Sequence, residues 1–394
     1  MSTSDQYWAL PDGITEALPE EAARLEYLRR EILDLYATWG YQLVMPPLVE
    51  FVQSLTTGVG SSLDVQTFRI TDQYTGRMMG LRADMTPQIA RIDAHKLQTE
   101  HPNRLCYIGS VLHTRALREG GSRSPLQVGA ELFGHAGLDS DFEILSLLLA
   151  TLEYCNVKQP TLDIGHVGIF RELASQAGFD RTQENTFFDM LERKSLPEID
   201  AWLAASGLPE HLSRMLAVLP RLHGPIAILD EAKQALQQAS PPVQEALDYL
   251  QALGERLQAA FPACNLHVDL TELSGYDYHT GIVYAVYSPD SGHEIARGGR
   301  YDGVGKWFGR ARPATGFSTD LRLLSGSATP AAAMPQRIFA PADHEAPLEQ
   351  LIADLRRQGR CVVRQLQGTT QTARQADCNY QIIQDHGQWT VTEV

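Results

Sequence analysis

The chain has 394 residues, 43% of them hydrophobic and 21% charged, with a formal net charge of -15; this suits a globular protein with one large domain and a smaller one. That acidity, without a lysine or arginine cluster, argues against a nucleic-acid partner, and no apolar run is long enough to span a membrane. Cys106, Cys155, Cys264, Cys361 and Cys378 are odd in number and lack Cys-x-x-Cys spacing, so with a polar N-terminus and no signal peptide they predict buried thiols in a cytoplasmic setting, not disulfides or a metal site.

Leu18-Pro-Glu-Glu21 starts a helix with acidic residues in its first turn. Leu25, Leu28, Ile32, Leu33 and Tyr36 then recur at three- and four-residue spacing, and Gly40 ends the helix. Tyr41–Glu50 reads as a short strand broken at Pro46-Pro47, and therefore as an edge or interface strand, since proline cannot donate to a ladder. Phe68–Asp72 and Met78–Arg82 form a hairpin around Gln73-Tyr-Thr-Gly76. Leu81-Arg-Ala-Asp84-Met-Thr86-Pro87 is a strand running into a helix, with Thr86 placed as its cap. On these residues alone, Asp84 and Thr86 need do no more than satisfy that helix start.

A long antiparallel hairpin follows, Leu105–Arg115 and Leu126–Gly134, with Arg118–Arg123 as the loop. Period-two alternation puts Gln127, Gly129 and Glu131 on one face, where Gly129 leaves a floor between an amide and a carboxylate. That arrangement suits a ligand with an ammonium group and a polar head; it also suits the wet face of a sheet. A helix from Asp139 to about Tyr154 and a strand at Thr161–Val167 lead into a strongly helical stretch, 168–260, which carries no evident chemistry. From Cys264 to Leu324 the pattern returns to strands, with the loop Leu273–Gly281 between two of them. Taken singly, Tyr276, Tyr278 and His279 in that loop read as aromatic packing. Gly298-Gly-Arg300 is not a Walker loop, because no Gly-Lys-Ser/Thr follows. The expected organisation is a core of 1–167 and 261–326, a helical insertion at 168–260, a linker at 327–338, and a small α/β domain at 339–394.

Several of these segments, in order, resemble histidyl-tRNA synthetases of class II. The helix, Gly40 and Pro47 resemble motif 1, and Tyr107-Ile-Gly with Gln127-Val-Gly-Ala-Glu131-Leu-Phe-Gly134 resembles motif 2. Leu81–Thr86 is similar to that family's Arg-Pro-Glu-Gly-Thr, with Asp84 one methylene shorter than the glutamate. Ser274-Gly-Tyr-Asp-Tyr278 resembles Arg-Gly-Leu-Asp-Tyr-Tyr, and Gly298–Gly303 with Ala314–Leu324 resembles Gly-Gly-Arg-Tyr-Asp-Gly and motif 3. The likeness covers roughly 8–324; the tail matches in type only. It implies an α+β fold, a class II aminoacyl-tRNA synthetase-like antiparallel sheet flanked by helices, with a helical insertion and a small C-terminal α/β unit. It also implies a histidine site made of Asp84, Thr86, Gln127, Glu131, Tyr278 and His279.

The departures fall at the ATP end. The motif 2 arginine is His113 and the glutamate after it Arg115, the loop arginine is Ser274, and motif 3 reads Asp320-Leu-Arg-Leu323. Fixed cations stabilise the charge that develops in adenylation, each worth roughly two to three powers of ten. A histidine pocket without them resembles the regulatory subunits of ATP phosphoribosyltransferase. That resemblance implies no catalysis, no cofactor or metal, and histidine as an allosteric ligand that closes the Leu273–Gly281 loop. It further implies a short-form catalytic subunit as partner, and self-association as a dimer or larger. The alternative is a synthetase paralogue using Arg115 and Arg322 in shifted roles for residual amino-acid activation.

Overall fold

The structure, a computed structural model, describes residues 8–57, 60–116, 121–289, 292–326 and 336–394. Half of the 118–123 loop and most of the 327–338 linker therefore lie outside the described residues. Two compact units are present, 1–329 and 330–394.

The first unit opens with helix α1 (Pro19–Thr38), whose Leu25, Leu28, Ile32 and Tyr36 are all buried; Gly40, at φ +82°, turns the chain out of it. Next come β1 (Gln42–Leu43), β2 (Val49–Phe51), α2 (Val52–Thr56), α3 (Gly60–Gln66), β3 (Phe68–Thr71), β4 (Met78–Leu81) and α4 (Thr86–Ile92). The long hairpin is β5 (Asn103–Ser110) and β6 (Leu126–Phe133), followed by α5 (Leu138–Tyr154) and β7 (Thr161–His166). The insertion holds α6 (Val167–Gln176), α7 (Arg181–Glu192), α8 (Leu196–Ser206), α9 (Glu210–Val218), the two-residue β8 (His223–Gly224), α10 (Ile228–Ala235) and α11 (Pro241–Ala260). The unit closes with β9 (Asn265–Asp269), β10 (Ile282–Tyr287), β11 (Glu294–Arg300), β12 (Ala314–Asp320) and α12 (Leu321–Ser325).

The main sheet runs β1-β5-β6-β12-β11-β10-β7-β9-β8. It is antiparallel except where β1 joins β5 and β7 joins β9. The stretch Tyr41–Glu50 is thus two strands, not one. Pro46-Pro47 hands the chain from the edge of the main sheet to a separate three-stranded sheet, β2-β4-β3. The hairpin ladder stops at Ser110 opposite Leu126. Beyond it His113 bridges Thr67 instead, so the first strand is shorter than its sequence suggests.

One face of the sheet meets α1, α5 and the insertion helices in a large apolar core. The other face carries a smaller cluster in which Met85, Ile89 and Ala90, at and just before α4, pack on Leu105, Tyr107, Phe133 and Tyr301. Two buried ion pairs tie the glycine-rich segment 298–316 down. Arg300 meets Asp141 of α5 at 3.0 and 2.8 Å and also bonds the Ser140 hydroxyl. Arg312 meets Asp93, just past α4, at 3.0 Å. The second unit has strand order β14-β13-β15-β16, from β13 (Arg337–Ala340), β14 (Cys361–Arg364), β15 (Tyr380–Asp385) and β16 (Gln388–Glu393). The helix α13 (Ala346–Arg357) is the crossover between the parallel β13 and β14 and shares a core with Ile338, Val362 and Ile382.

Arg300→Met leaves the Asp141 carboxylate, fully buried, without its counter-charge. It should cost about 3–5 kcal/mol of unfolding free energy, whereas Glu26→Gln, which breaks a partly exposed pair with Arg29, should cost under about 1 kcal/mol. Denaturant unfolding of the full chain compares the two; equal small losses would remove Arg300 from the list of structural anchors.

Candidate functional site

Glu131 projects from the middle of β6 and is 1% exposed. Its Oε1 accepts from the hydroxyls of Thr86 and Tyr107, each at 3.0 Å, and its Oε2 accepts from the Tyr301 hydroxyl at 2.5 Å. Space for the carboxyl exists because the residue opposite it on β12 is Gly316: a Cβ there would stand 1.5 Å from Oε2. Burial pushes the Glu131 pKa up to about 8, with the Asp84 charge adding to the rise and the three hydroxyls opposing it. At neutral pH this burial favours the protonated carboxyl.

The turn before α4 supplies the second acidic group. Asp84 Oδ1 accepts from the Thr86 backbone N–H at 3.0 Å and from Gln127 Nε2 at 2.8 Å, which leaves Oδ2 for a ligand. Gln127 Oε1 accepts from the Met85 N–H at 3.0 Å, so this amide clamps the turn from the neighbouring strand. Thr86 is not the cap expected of it. Helix α4 begins at Thr86 itself with no side-chain cap, and the hydroxyl is diverted to Glu131 and Tyr107. Residues from the turn, β5 and β6 thus converge on one polar cluster.

The loop between β9 and β10 brings Tyr278 against the apolar cluster to which Tyr107 and Tyr301 belong. His279 stands behind it, ring centroids 4.2 Å apart, with Nδ1 2.7 Å from the Ser274 carbonyl. Burial drives the His279 pKa down to about 4, so the imidazole is neutral. The loop is tethered to the insertion: Arg171 of α6 donates to the Tyr276 and His279 carbonyls at 2.9 and 3.1 Å, and the Tyr276 hydroxyl bonds Glu184 of α7.

At the other end of the site the expected cations are absent. His113 is buried, with Nε2 2.9 Å from the Ala83 carbonyl. Arg115 is exposed, and because the ladder ends at Ser110 it does not share a strand face with His113. Arg322 reaches Glu21 of α1 at 2.8 Å, on the side of the sheet where the helices pack. Asp320 introduces a carboxylate here, accepting from the Leu126 and Arg322 N–H groups at 3.0 Å each. Phosphate groups would meet an acid where adenylation needs bases.

Two family models match this chain: histidyl-tRNA synthetase over residues 13–324, and the ATP phosphoribosyltransferase subunit HisZ C-terminal domain over 335–392. The ATP phosphoribosyltransferase regulatory subunit of Thioalkalivibrio sulfidiphilus is 53% identical over 394 residues, covering 100% of each chain. The chain belongs to the ATP phosphoribosyltransferase regulatory-subunit family. As such it is a non-catalytic subunit, in keeping with its phosphate end. A solved ATP phosphoribosyltransferase regulatory subunit/histidyl-tRNA synthetase from Bacillus halodurans shares the fold with a TM-score of 0.83 at 26% identity, over 94% of this chain and 96% of that one. A chain of the HisG:HisZ complex from Thermotoga maritima gives 0.57 at 16% identity, over 74% and 96%, a likeness of fold.

In this regulatory subunit the polar cluster also includes Tyr107, Tyr301 and Gly316, which were not among the expected site residues. Both tyrosines lie inside motif segments already singled out; the glycine is recognisable only through its register with Glu131. The buried carboxyl has a measurable consequence. An unfolded chain releases the Glu131 proton near 4.5 and the folded chain near 8. Between those values the folded state holds the extra proton, so its contribution to stability falls as pH rises, by at most roughly 1.4 kcal/mol per unit. The stability of Glu131→Gln relative to wild type should therefore grow from about pH 5 to pH 8 and level off above. Urea unfolding across that range reads it; a constant difference would mean an ordinary carboxyl.

Proposed function

We propose that this regulatory subunit is the histidine sensor of a two-part ATP phosphoribosyltransferase, binding the end product in its synthetase-like site and passing occupancy to a short-form catalytic subunit. The observation that carries the reading is the asymmetry of the site. Two acidic groups, Asp84 and Glu131, gather on its amino-acid side with Thr86 and Gln127, while the phosphate side has His113 and Asp320 where cations would be needed. Asp84 and Glu131 take the ammonium and imidazole, Thr86 and Gln127 hold those carboxyl groups in place, and Tyr278 backed by His279 closes the pocket. Arg322, spent on Glu21, gives no support to residual amino-acid activation.

The loop Leu273–Gly281 is the natural two-state element. Its ties to Arg171 and Glu184 give the insertion helices a direct stake in whether it is open or closed. A coupling of about 1–3 kcal/mol suffices for roughly 5- to 150-fold control. The catalytic partner comes from the family name and from the complex in which the Thermotoga relative was solved. Self-association follows from the edge strand β1, which carries Leu43 and is followed by Met45 and Leu48, all exposed, and the free thiols suit a cytoplasmic setting.

Calorimetry should find histidine binding to the wild type and a loss of about 2–5 kcal/mol in Glu131→Ala, with no ATP–pyrophosphate exchange in either. Equal affinities, or none, would refute the pocket. In a complex reconstituted with a short-form catalytic subunit, histidine should inhibit more than it inhibits that subunit alone, and Gln127→Ala should blunt the effect; an unchanged response would mean the sensor lies elsewhere. Sedimentation at micromolar concentration should give a dimer or larger, and a monomer would rule out pairing through β1.

A further inference from the structure

The sheet face that carries Glu131 also carries an arginine with no task so far. Directly opposed residues of antiparallel strands point to the same face, and register draws two adjacent rows across four or more strands. One row runs Leu105, Glu131, Gly316, Gly299, Val283; the next runs Tyr107, Gly129, Ser318, Arg297, Ala285. The Tyr107 hydroxyl bonds Glu131, so these rows are the floor of the site. Two strand spacings and two residues along the strand separate Glu131 from Arg297, roughly 12 Å between Cα atoms. Between them lie Gly129, Gly316, Gly299 and Ser318, and the three glycines make room for Tyr107, the Glu131 carboxyl and His279 respectively.

Charge makes the position matter. An amino acid brings a carboxylate as well as its cationic groups, and neither Asp84 nor Glu131 offers it a counter-charge. Arg82 also lies on this face, packed over Gly109, but it is 7% exposed and donates to the Pro46 and Ser110 carbonyls at 2.7 and 2.9 Å. The loop position that is arginine in the synthetases is Ser274. Arg297 differs from both: its side chain is 50% exposed, and its guanidinium is paired with Glu294 of its own strand at 2.5 and 2.9 Å. The Tyr278 hydroxyl feels Asp84, Arg297 and Glu131 together, which puts all three in one electrostatic neighbourhood. A partly exposed arginine–glutamate pair contributes little to stability, so one carboxylate can be exchanged for another at small cost.

We propose that Arg297 is the carboxylate-recognising residue of this site, with Glu294 holding the guanidinium until the α-carboxylate of the bound amino acid displaces it in a bidentate pair. This rests on the reading of the site as a histidine pocket and adds to it a residue supplied by the sheet floor. It also makes the pocket selective for the free amino acid over its decarboxylated or reduced analogues, because only the amino acid matches the guanidinium.

The test is calorimetry with histidine and with histidinol, which has a hydroxymethyl group in place of the carboxylate, on wild type, Arg297→Gln and Glu294→Gln. Arg297→Gln should weaken histidine by roughly 10- to 100-fold and leave histidinol affinity unchanged. Glu294→Gln should tighten histidine, since the competing carboxylate is gone. An equal loss for both ligands, or no loss for histidine in Arg297→Gln, overturns the assignment while leaving the pocket intact. A wild type that binds neither ligand overturns the pocket, and the assignment with it.

Discussion

Enclosing a carboxyl group as completely as Glu131 is enclosed costs several kcal/mol unless fixed donors or a proton neutralise it, and much of the surrounding architecture is the answer to that cost. The donors come from three separate places: Thr86 at the head of α4, Tyr107 on β5 and Tyr301 after β11. None can deliver its hydroxyl unless its own element is correctly seated, so a single buried oxygen pair enforces agreement among distant segments. Gly316 is the complementary requirement, an absent side chain that makes room for the carboxyl.

The buried arginine–aspartate pairs serve the same end. Arg300 and Asp141 hold the β11 end to α5, one residue before Tyr301; Arg312 and Asp93 hold the chain just before β12 to the end of α4. Tyr301 is thereby fixed from two sides of the sheet. The loop carrying Tyr278 is tied elsewhere: its backbone hangs from Arg171 and its Tyr276 from Glu184. In the proposed function the rigid part of the site recognises, and the tethered part transmits.

Much of this was legible in the chain. Period-two alternation put Gln127, Gly129 and Glu131 on one face, and they share it; the edge position of the strand before Pro46-Pro47 follows from proline's missing donor. What could not be read is whatever depends on register between distant strands. Nothing near Gly316 in sequence says that it faces Glu131. The premature end of β5 at Ser110 results from His113 pairing with Thr67, a contact across 46 positions that no local pattern encodes. Thr86 looked like a helix cap because its neighbours Asp84 and Pro87 make a good helix start, yet a tertiary acceptor outbid the local one. Arg322 sat one residue from a family position, but direction decides its use, and it points to α1.

That last contact is one of several that fix the phosphate end. His113 is bonded to the Ala83 carbonyl, Arg322 to Glu21, and Asp320 to two backbone amides; these three residues, at the phosphate end, each have a partner inside the fold. Reverting any of them alone would strand that partner without restoring the rest of the phosphate site. Building a phosphate site here would therefore take several coordinated changes, because these side chains are tied to different parts of the fold.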